Sequence, residues 1–261
     1  MTPYERVKVS RGNKRPTGID YIRSIFQDFK EMHGDRRYGD DPAVVGGIAR
    51  LDNMPVTVIA IEKGHTAKER SYRNFGAPHP EGFRKAMRLM KQAEKFGRPV
   101  INIVDTSGGY CGIGAEQRGQ GHAIAENLME MSTLCVPIIS ILIGEGGSGG
   151  ALALAVADRV WMLQNAVYSV ISPEGCASIL WKDPSRAEEA AQNLKLRAED
   201  ALQLGIIERI LSEEQIGKQI FYDRIRNLIK EELTVLLKDS DLIQNRYDRF
   251  RKFGQSSVVK E

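Results

Sequence analysis

Two apolar runs, "PVINIVD" (99–105) and "VPIISILIG" (136–144), each lead straight into a glycine-rich segment, "TSGGYCGIG" and "EGGSGG". A helical pattern (115–131) separates them, a short helix (151–157) follows, and "RVWML" supplies a third apolar run. Strands that are apolar throughout, alternating with helices, pair in parallel with both faces covered. The chain is therefore an α/β protein, and each glycine segment lies where a strand ends and a helix begins. That is the ligand-bearing edge of such sheets.

Upstream, Ile19, Ile22, Ile25, Phe26 and Phe29 recur at helical spacing, which predicts a helix over 18–32. "AVVGGIARL" and "PVTVIAIEKG" flank Asp52-Asn53 and read as a β-hairpin. A basic loop with Lys63, Lys68, Arg70 and Arg73 precedes a helix over 80–96. Downstream, "VYSVISPEGCASILW" reads as a strand and a turn, and 184–211 as helix, helix, strand. A charged amphipathic helix over 213–238 follows, with Ile220, Ile225, Leu228, Ile229 and Leu236 on its apolar side.

Composition excludes several classes. Thirty-seven Lys and Arg against 34 Asp and Glu leave +3, too small an excess for a nucleic-acid binder. No apolar run approaches the ~18 residues that span a bilayer, and the polar, basic start lacks the apolar core of a signal peptide. A cytoplasmic protein without membrane association is expected. Its three cysteines, Cys111, Cys135 and Cys176, form no C-x-x-C pair, which argues against a metal site and a disulfide framework.

The second glycine segment satisfies two patterns at once. Gly144, Gly146 and Gly149 spell G-x-G-x-x-G, the dinucleotide fingerprint, while Gly146, Ser148 and Gly150 spell G-x-S-x-G, the nucleophile elbow. The fingerprint needs a full βαβ unit and an acidic residue about 20 positions on. Here the helix ends near Asp158 and the next strand runs into Gln164 and Asn165. The elbow needs a histidine after the serine in the α/β-hydrolase order, yet His33, His65, His79 and His122 all precede Ser148. A peptidase using Ser148 with His122 in another chain order stays open. Both patterns share uncovered backbone N–H groups at a helix N-terminus, which stabilise an oxyanion or enolate without side chains.

Longer segments carry a resemblance. "RPTGIDYIRSIFQDFKEMHGDR", "KGHTAKERSYRNFGAPHPEGFRKAMRLMKQAEKFGRPVI", "GAEQRGQGHAIAENLMEMS" and "GEGGSGGALALAVAD" resemble the α-subunit family of bacterial acetyl-CoA carboxylase carboxyltransferase, over about 15–249. The resemblance implies the crotonase (ClpP-like) fold: repeated ββα units, two sheets, surrounding helices. It implies a basic leader over 1–16, one carboxyltransferase domain over 17–250 ending in a long helix, and a loose tail over 251–261. Many family members carry a further helical segment at the N-terminus, so contacts made by that segment are not expected here.

The implied reaction moves a carboxyl group from carboxybiotin on a carrier protein to acetyl-CoA, giving malonyl-CoA for fatty acid synthesis. Implied partners are a β subunit in an α2β2 heterotetramer, the biotin carboxyl carrier protein and the biotin carboxylase. Biotinylation and ATP-binding sequences are absent here, so no cofactor is expected covalently bound; ATP belongs to the carboxylase and zinc to the β subunit. Carried onto this chain, Gly149 and Gly150 form the oxyanion hole for the biotin urea oxygen, and Gly108 and Gly109 a second backbone-amide site. Gly146, Gly147, Ser148, Tyr110, Glu116, Arg118, Ser172, Glu174 and Gly175 are expected to line the substrate cavity. Lys63 and Arg73 are expected to meet the partner or CoA phosphates. The first loop departs from the family's D-T-P-G-A-Y-P-G, reading Asp105-Thr106-Ser107-Gly108-Gly109-Tyr110-Cys111-Gly112. That change leaves open a different acyl-CoA or a non-catalytic subunit of the same complex.

Overall fold

The computed structural model describes residues 1–254. Residues 255–261 of the expected tail lie outside the described residues. The chain opens with α1 (Pro3–Ser10) and α2 (Gly18–Ile25), then β1 (Gln27–Glu31), β2 (Val44–Leu51), β3 (Met54–Ile61), α3 (Ala67–Tyr72) and α4 (Pro80–Lys95). It continues through β4 (Val100–Thr106), α5 (Ile113–Gln117), α6 (Gln120–Thr133), β5 (Ile138–Gly147), α7 (Ser148–Leu152), β6 (Arg159–Leu163), β7 (Val167–Ser169) and α8 (Pro173–Trp181). It closes with α9 (Ala187–Asn193), α10 (Ala198–Gln203), β8 (Arg209–Leu211), α11 (Gln219–Leu236) and α12 (Leu242–Arg251).

The strands form a sheet in the order β1-β2-β3-β4-β5-β6-β8, antiparallel at the β1 and β2 end and parallel from β3 onward. The expected second layer is a branch of it: β7 pairs with the far end of β5, Glu145–Gly147 against Val167–Ser169, so β5 serves both. Every residue of β4 is buried, as the continuous apolar run requires. Helices α2, α4 and α11 cover the sheet through Ile22, Ile25, Leu89, Met90, Phe221 and Ile225, all nearly inaccessible.

Several local expectations change. The helix predicted over 18–32 ends at Ile25, because Gln27–Glu31 pairs with the open edge of β2, and sheet pairing outweighs helical spacing. The helix of 115–131 breaks at Gly119, whose φ of 82° is left-handed. Gly144, Gly146 and Gly147 continue the strand β5, and the turn narrows to Ser148 with φ 50°. The turn after β7 is the nine-residue helix α8, capped by the Ser172 hydroxyl on the Gly175 N–H. The C-terminal helix begins at Gln219; Ile220 is 60% exposed, and Phe221, Tyr222 and Leu233 take the buried face.

The basic leader is folded onto the body. Thr2 and Glu5 form a reciprocal capping box for α1. Val7 packs with Val167, Ala191 and Leu196. Arg15 grips both oxygens of Glu213 at 2.8 Å and the Ile143 carbonyl at 2.8 Å. At the other end, Arg246 is 1% exposed and spends its guanidinium on Asp158 (2.8 Å to each oxygen) and on the carbonyls of Met131, Leu134 and Val136.

Asp35 shapes the turn that leads from β1 into β2. Its Oδ1 accepts the N–H groups of Arg37, Tyr38 and Gly39, and its Oδ2 accepts Arg84 Nε at 2.7 Å. Burial opposes its ionisation, but these donors outweigh it and hold the carboxyl at about 2. A depressed carboxyl contributes stability that is complete above its unfolded value of about 4 and is lost as the pH falls through the folded one. Urea unfolding should therefore show Asp35→Asn to be destabilised near about pH 7, with the difference from wild type shrinking between about pH 4 and 2. An unchanged difference across that window would refute the account. Arg246→Ala strands a buried carboxylate and should cost about 3–5 kcal/mol in the same measurement.

Candidate functional site

The three central parallel strands end side by side, and each end carries a charge: Lys63 two residues past β3, Asp105 in β4, Glu145 in β5. Strands β4 and β5 pair regularly to Val104↔Leu142, then shift so that Thr106 meets Gly146. The extra residues of β5 bulge around the Asp105 carboxylate, which accepts the Glu145 N–H at 2.8 Å. A methyl group on Gly144 would lie 2.4 Å from Asp105 Oδ1, which explains the first glycine of the segment. Lys63 Nζ lies 2.6 Å from Asp105 Oδ1 and 3.2 Å from Glu145 Oε2.

Beyond these charges the two glycine segments touch backbone to backbone. A Cβ on Gly147 would lie 2.2 Å from the Ser107 carbonyl oxygen, and one on Gly150 would lie 2.5 Å from Gly109 N. Only glycine permits that approach. Gly149 differs, since its Cβ would meet nothing nearer than Ile124 Cγ2 at 3.4 Å. The glycine run therefore answers to a third requirement, neither fingerprint nor elbow: two chain segments packed with no side chain between them.

Gly149 and Gly150 occupy the first turn of α7, whose N–H groups have no partner within the helix. Among the described residues neither is given an acceptor, and nor is the Gly109 N–H. Gly108 is placed otherwise than expected. Its N–H goes to Thr106 Oγ1 at 3.0 Å, and that hydroxyl donates back to the Gly108 carbonyl at 2.7 Å. The Thr106 clamp shapes the loop and removes Gly108 as a free donor. Tyr110 is fixed by its N–H on the Pro78 carbonyl (2.9 Å) and by stacking on His79 at 4.1 Å, which leaves its ring 40% exposed.

Two clefts flank the loops. One is lined by Arg11, Lys63, Arg70, Phe75, Ser107 and Glu145. The other lies against Val7, Gly146, Gly147, Ser169, Ile171 and Ser172. Arg11 gave no sign of a site role in the sequence, because α1 returns to the site from far away in the chain; Arg70 comes from the basic loop, on α3. Arg11 joins Glu145 (2.7 Å) to Glu174 (2.8 Å), and Glu174 also accepts Tyr4 at 3.2 Å. Among the described residues the Arg70 guanidinium meets Asn13 and the Gly64 carbonyl.

Other expected residues are engaged otherwise than expected. Lys63 is spent on carboxylates and is not presented to a phosphate; burial opposes its charge, but Asp105 and Glu145 outweigh it and raise its pKa. Arg73 binds the Pro42 carbonyl at 2.6 Å. Arg118 pairs with Glu81 at 2.7 Å and lies over the Tyr38 ring, while Glu116 is exposed on α5. Ser172 and Gly175 form the cap of α8.

Ser148 sits at a strand-to-helix turn with a left-handed backbone, as a nucleophile elbow would. Among the described residues it has no histidine partner. His33 binds Asp40, His65 binds Asp20, His79 contacts Asn74, and His122 is exposed on α6. No helix is long and apolar enough to cross a membrane, and no His, Cys, Asp and Glu group among the described residues could hold a metal ion.

Residues 1–254 match the family model described as acetyl co-enzyme A carboxylase carboxyltransferase-like. The acetyl-coenzyme A carboxylase carboxyl transferase subunit alpha of Ruminiclostridium cellulolyticum is 58% identical over 256 residues, covering 97% of this chain and 98% of that one. A Natranaerobius thermophilus protein named as subunits beta/alpha is 57% identical over 98% of this chain, which spans 43% of it. Among solved structures, a Pseudomonas malonate decarboxylase hetero-tetramer in complex with coenzyme A superposes with a TM-score of 0.73 at 19% identity, covering 93% of this chain and 97% of that one. Transcarboxylase 12S, with methylmalonyl-coenzyme A and methylmalonic acid bound, gives 0.70 at 20% identity over 86% of this chain and 43% of that one. These likenesses show a shared crotonase-like fold. The chain belongs to the family of acetyl-coenzyme A carboxylase carboxyltransferase α subunits.

Proposed function

We propose that this chain is the α half of an acetyl-CoA carboxyltransferase, completed by a β subunit. The observation that carries the reading is the close packing of Gly150 on Gly109 where two strand ends lead into glycine segments, with the N–H groups of Gly109, Gly149 and Gly150 without acceptors among the described residues. Transfer from carboxybiotin to acetyl-CoA breaks the carboxyl C–N bond and leaves an electron pair on the biotin ureido group as an oxyanion. The methyl proton of acetyl-CoA goes to that group, and the resulting enolate carbon bonds the carboxyl carbon. The chemistry asks for anion stabilisation and for no protein acid or base, in keeping with a serine that lacks a histidine.

In this reading Gly149 and Gly150 donate to the biotin urea oxygen, with Gly109 facing them, and the β subunit holds the thioester oxygen. Arg70, which pairs with no carboxylate among the described residues, gives one flanking cleft a cationic edge suited to an acidic group. Apolar side chains beside the loops, Phe75 (63% exposed), Ile113 (80%) and Val170 (74%), suit burial by the β subunit. The carrier protein and the biotin carboxylase supply carboxybiotin, with ATP used there and zinc on the β subunit. The assembly is an α2β2 heterotetramer in the cytoplasm. The Ser107-to-Cys111 loop sets the acyl-CoA preference.

Transfer from malonyl-CoA to biocytin should appear only when this chain and a cognate β subunit are mixed, and activity of either alone would sink the shared site. In the mixture Gly149→Val should lose about 10²-fold in kcat, while co-purification with the β subunit is retained. Thermal and urea unfolding should separate the neighbours: Gly149→Ala stays within about 1 kcal/mol of wild type, whereas Gly150→Ala, pressed on Gly109, loses about 1–3 kcal/mol. A fluorophosphonate probe should leave Ser148 unlabelled; labelling would favour the peptidase.

A further inference from the structure

We infer that Lys63 is a positioning residue of this site, a single buried ammonium that sets the spacing between the two glycine segments. Its two carboxylate partners stand immediately before those segments, Asp105 ahead of Thr106 to Gly109 and Glu145 ahead of Gly146 to Gly150. The stem of Lys63 is also fixed. Gly76 has φ 76°, and a Cβ there would lie 2.5 Å from Lys63 Cγ and 3.1 Å from the Asp105 carbonyl oxygen. The lysine thus passes between the 64–79 loop and the end of β4 in a channel that only glycine leaves open. Pro78, two residues past Gly76, receives the Tyr110 N–H and Gln120 Nε2, both at 2.9 Å, so the same loop braces the first glycine segment from its far side.

Charge makes the arrangement rigid. Asp105 and Glu145 share one ammonium and are bridged by the Glu145 N–H on Asp105 Oδ1 at 2.8 Å. Glu145 is further neutralised by Arg11 at 2.7 Å. Without Lys63 the two carboxylates repel across the bulge, and like charges that close drive one of them to take up a proton. A movement of either strand end is passed directly to Gly109 or to Gly149 and Gly150, and a misplacement of about 1 Å in a reacting group costs up to about 10²-fold in rate. Lys63 touches no reacting atom, so its loss should lower kcat and leave binding intact.

The kinetic arm of the test rests on the proposed transferase function; the structural arm does not. The full chain with its β subunit would be compared as wild type, Lys63→Met and the charge-balanced Lys63→Met/Asp105→Asn, whose amide still accepts the Glu145 N–H. Readouts are biocytin-dependent decarboxylation of malonyl-CoA and native-state amide exchange over 105–112 and 144–151. The balanced double variant should fold, lose at least about tenfold in kcat with the malonyl-CoA KM within about threefold, and exchange at least about tenfold faster in those segments alone. Wild-type kcat with wild-type exchange in the double variant, or a raised KM with unchanged kcat, overturns the proposal. Should the double variant fail to fold, Lys63→Arg decides: reduced kcat at constant KM supports positioning, and full kcat refutes it. A wild type without transfer would refute the proposed function, while the exchange arm would still judge Lys63.

Discussion

Two backbone segments pressed together with no side chain between them set the terms for the rest of this molecule. A Cβ on Gly147 or Gly150 would fall inside the van der Waals surface of Ser107 or Gly109, so the sequence at the contact is fixed by space alone. Such a contact has little apolar area to hold it, and its rigidity is imported. The Thr106 hydroxyl ties the first loop to itself, the Pro78 carbonyl ties it to its neighbour, and the buried sheet beneath holds both strands in register. What results is a pair of backbone segments whose arrangement no rotamer can change.

The strain in the site is concentrated at Ser148. A non-glycine residue with φ 50° is uncommon and costs of order 1–3 kcal/mol. It lets β5 run its full length and still turn sharply enough for α7 to begin at once. The same elbow serves serine hydrolases by exposing a hydroxyl. Here Ser148 is exposed as well, but among the described residues no histidine is its partner, which is why one local sequence satisfies a nucleophile pattern with no base in reach.

Much of this was legible in the sequence because the signals were redundant. Three apolar runs, each closed by a glycine segment or a helix, could pair only as a parallel sheet, and the strands follow as expected. The β-hairpin about Asp52 was equally clear. The long family segments added the fold and the glycine assignments. What stayed hidden depends on partners remote in the chain. Residues 27–31 have helical spacing but become a strand because β2 offers an edge. Arg11 and Arg15 read as a basic leader because Glu145, Glu174 and Glu213 lie more than a hundred residues away. Lys63 read as an exposed cation in a basic loop, although a charge at or just past the end of each of three adjacent strands was a usable sign that they meet. Arg246, within a polar helix, gave no hint that it would be among the most buried residues.

The placement of α1 also fixes an order in time. Its apolar side chain Val7 finds cover only against Val167, Ala191 and Leu196, and Arg15 finds its carboxylates only at Glu213. As a chain leaves the ribosome from its N-terminus, the first helix is made long before anything exists for it to rest on. Short helices are marginal on their own in water. The segment that closes one wall of the site is therefore synthesised before its partners and among the last to dock, so a site of this kind is completed only after Glu213 has emerged. Contacts of such long sequence separation are slow to form, and a nascent chain of this family carries an unroofed glycine site from the synthesis of Gly150 until Glu213 has emerged.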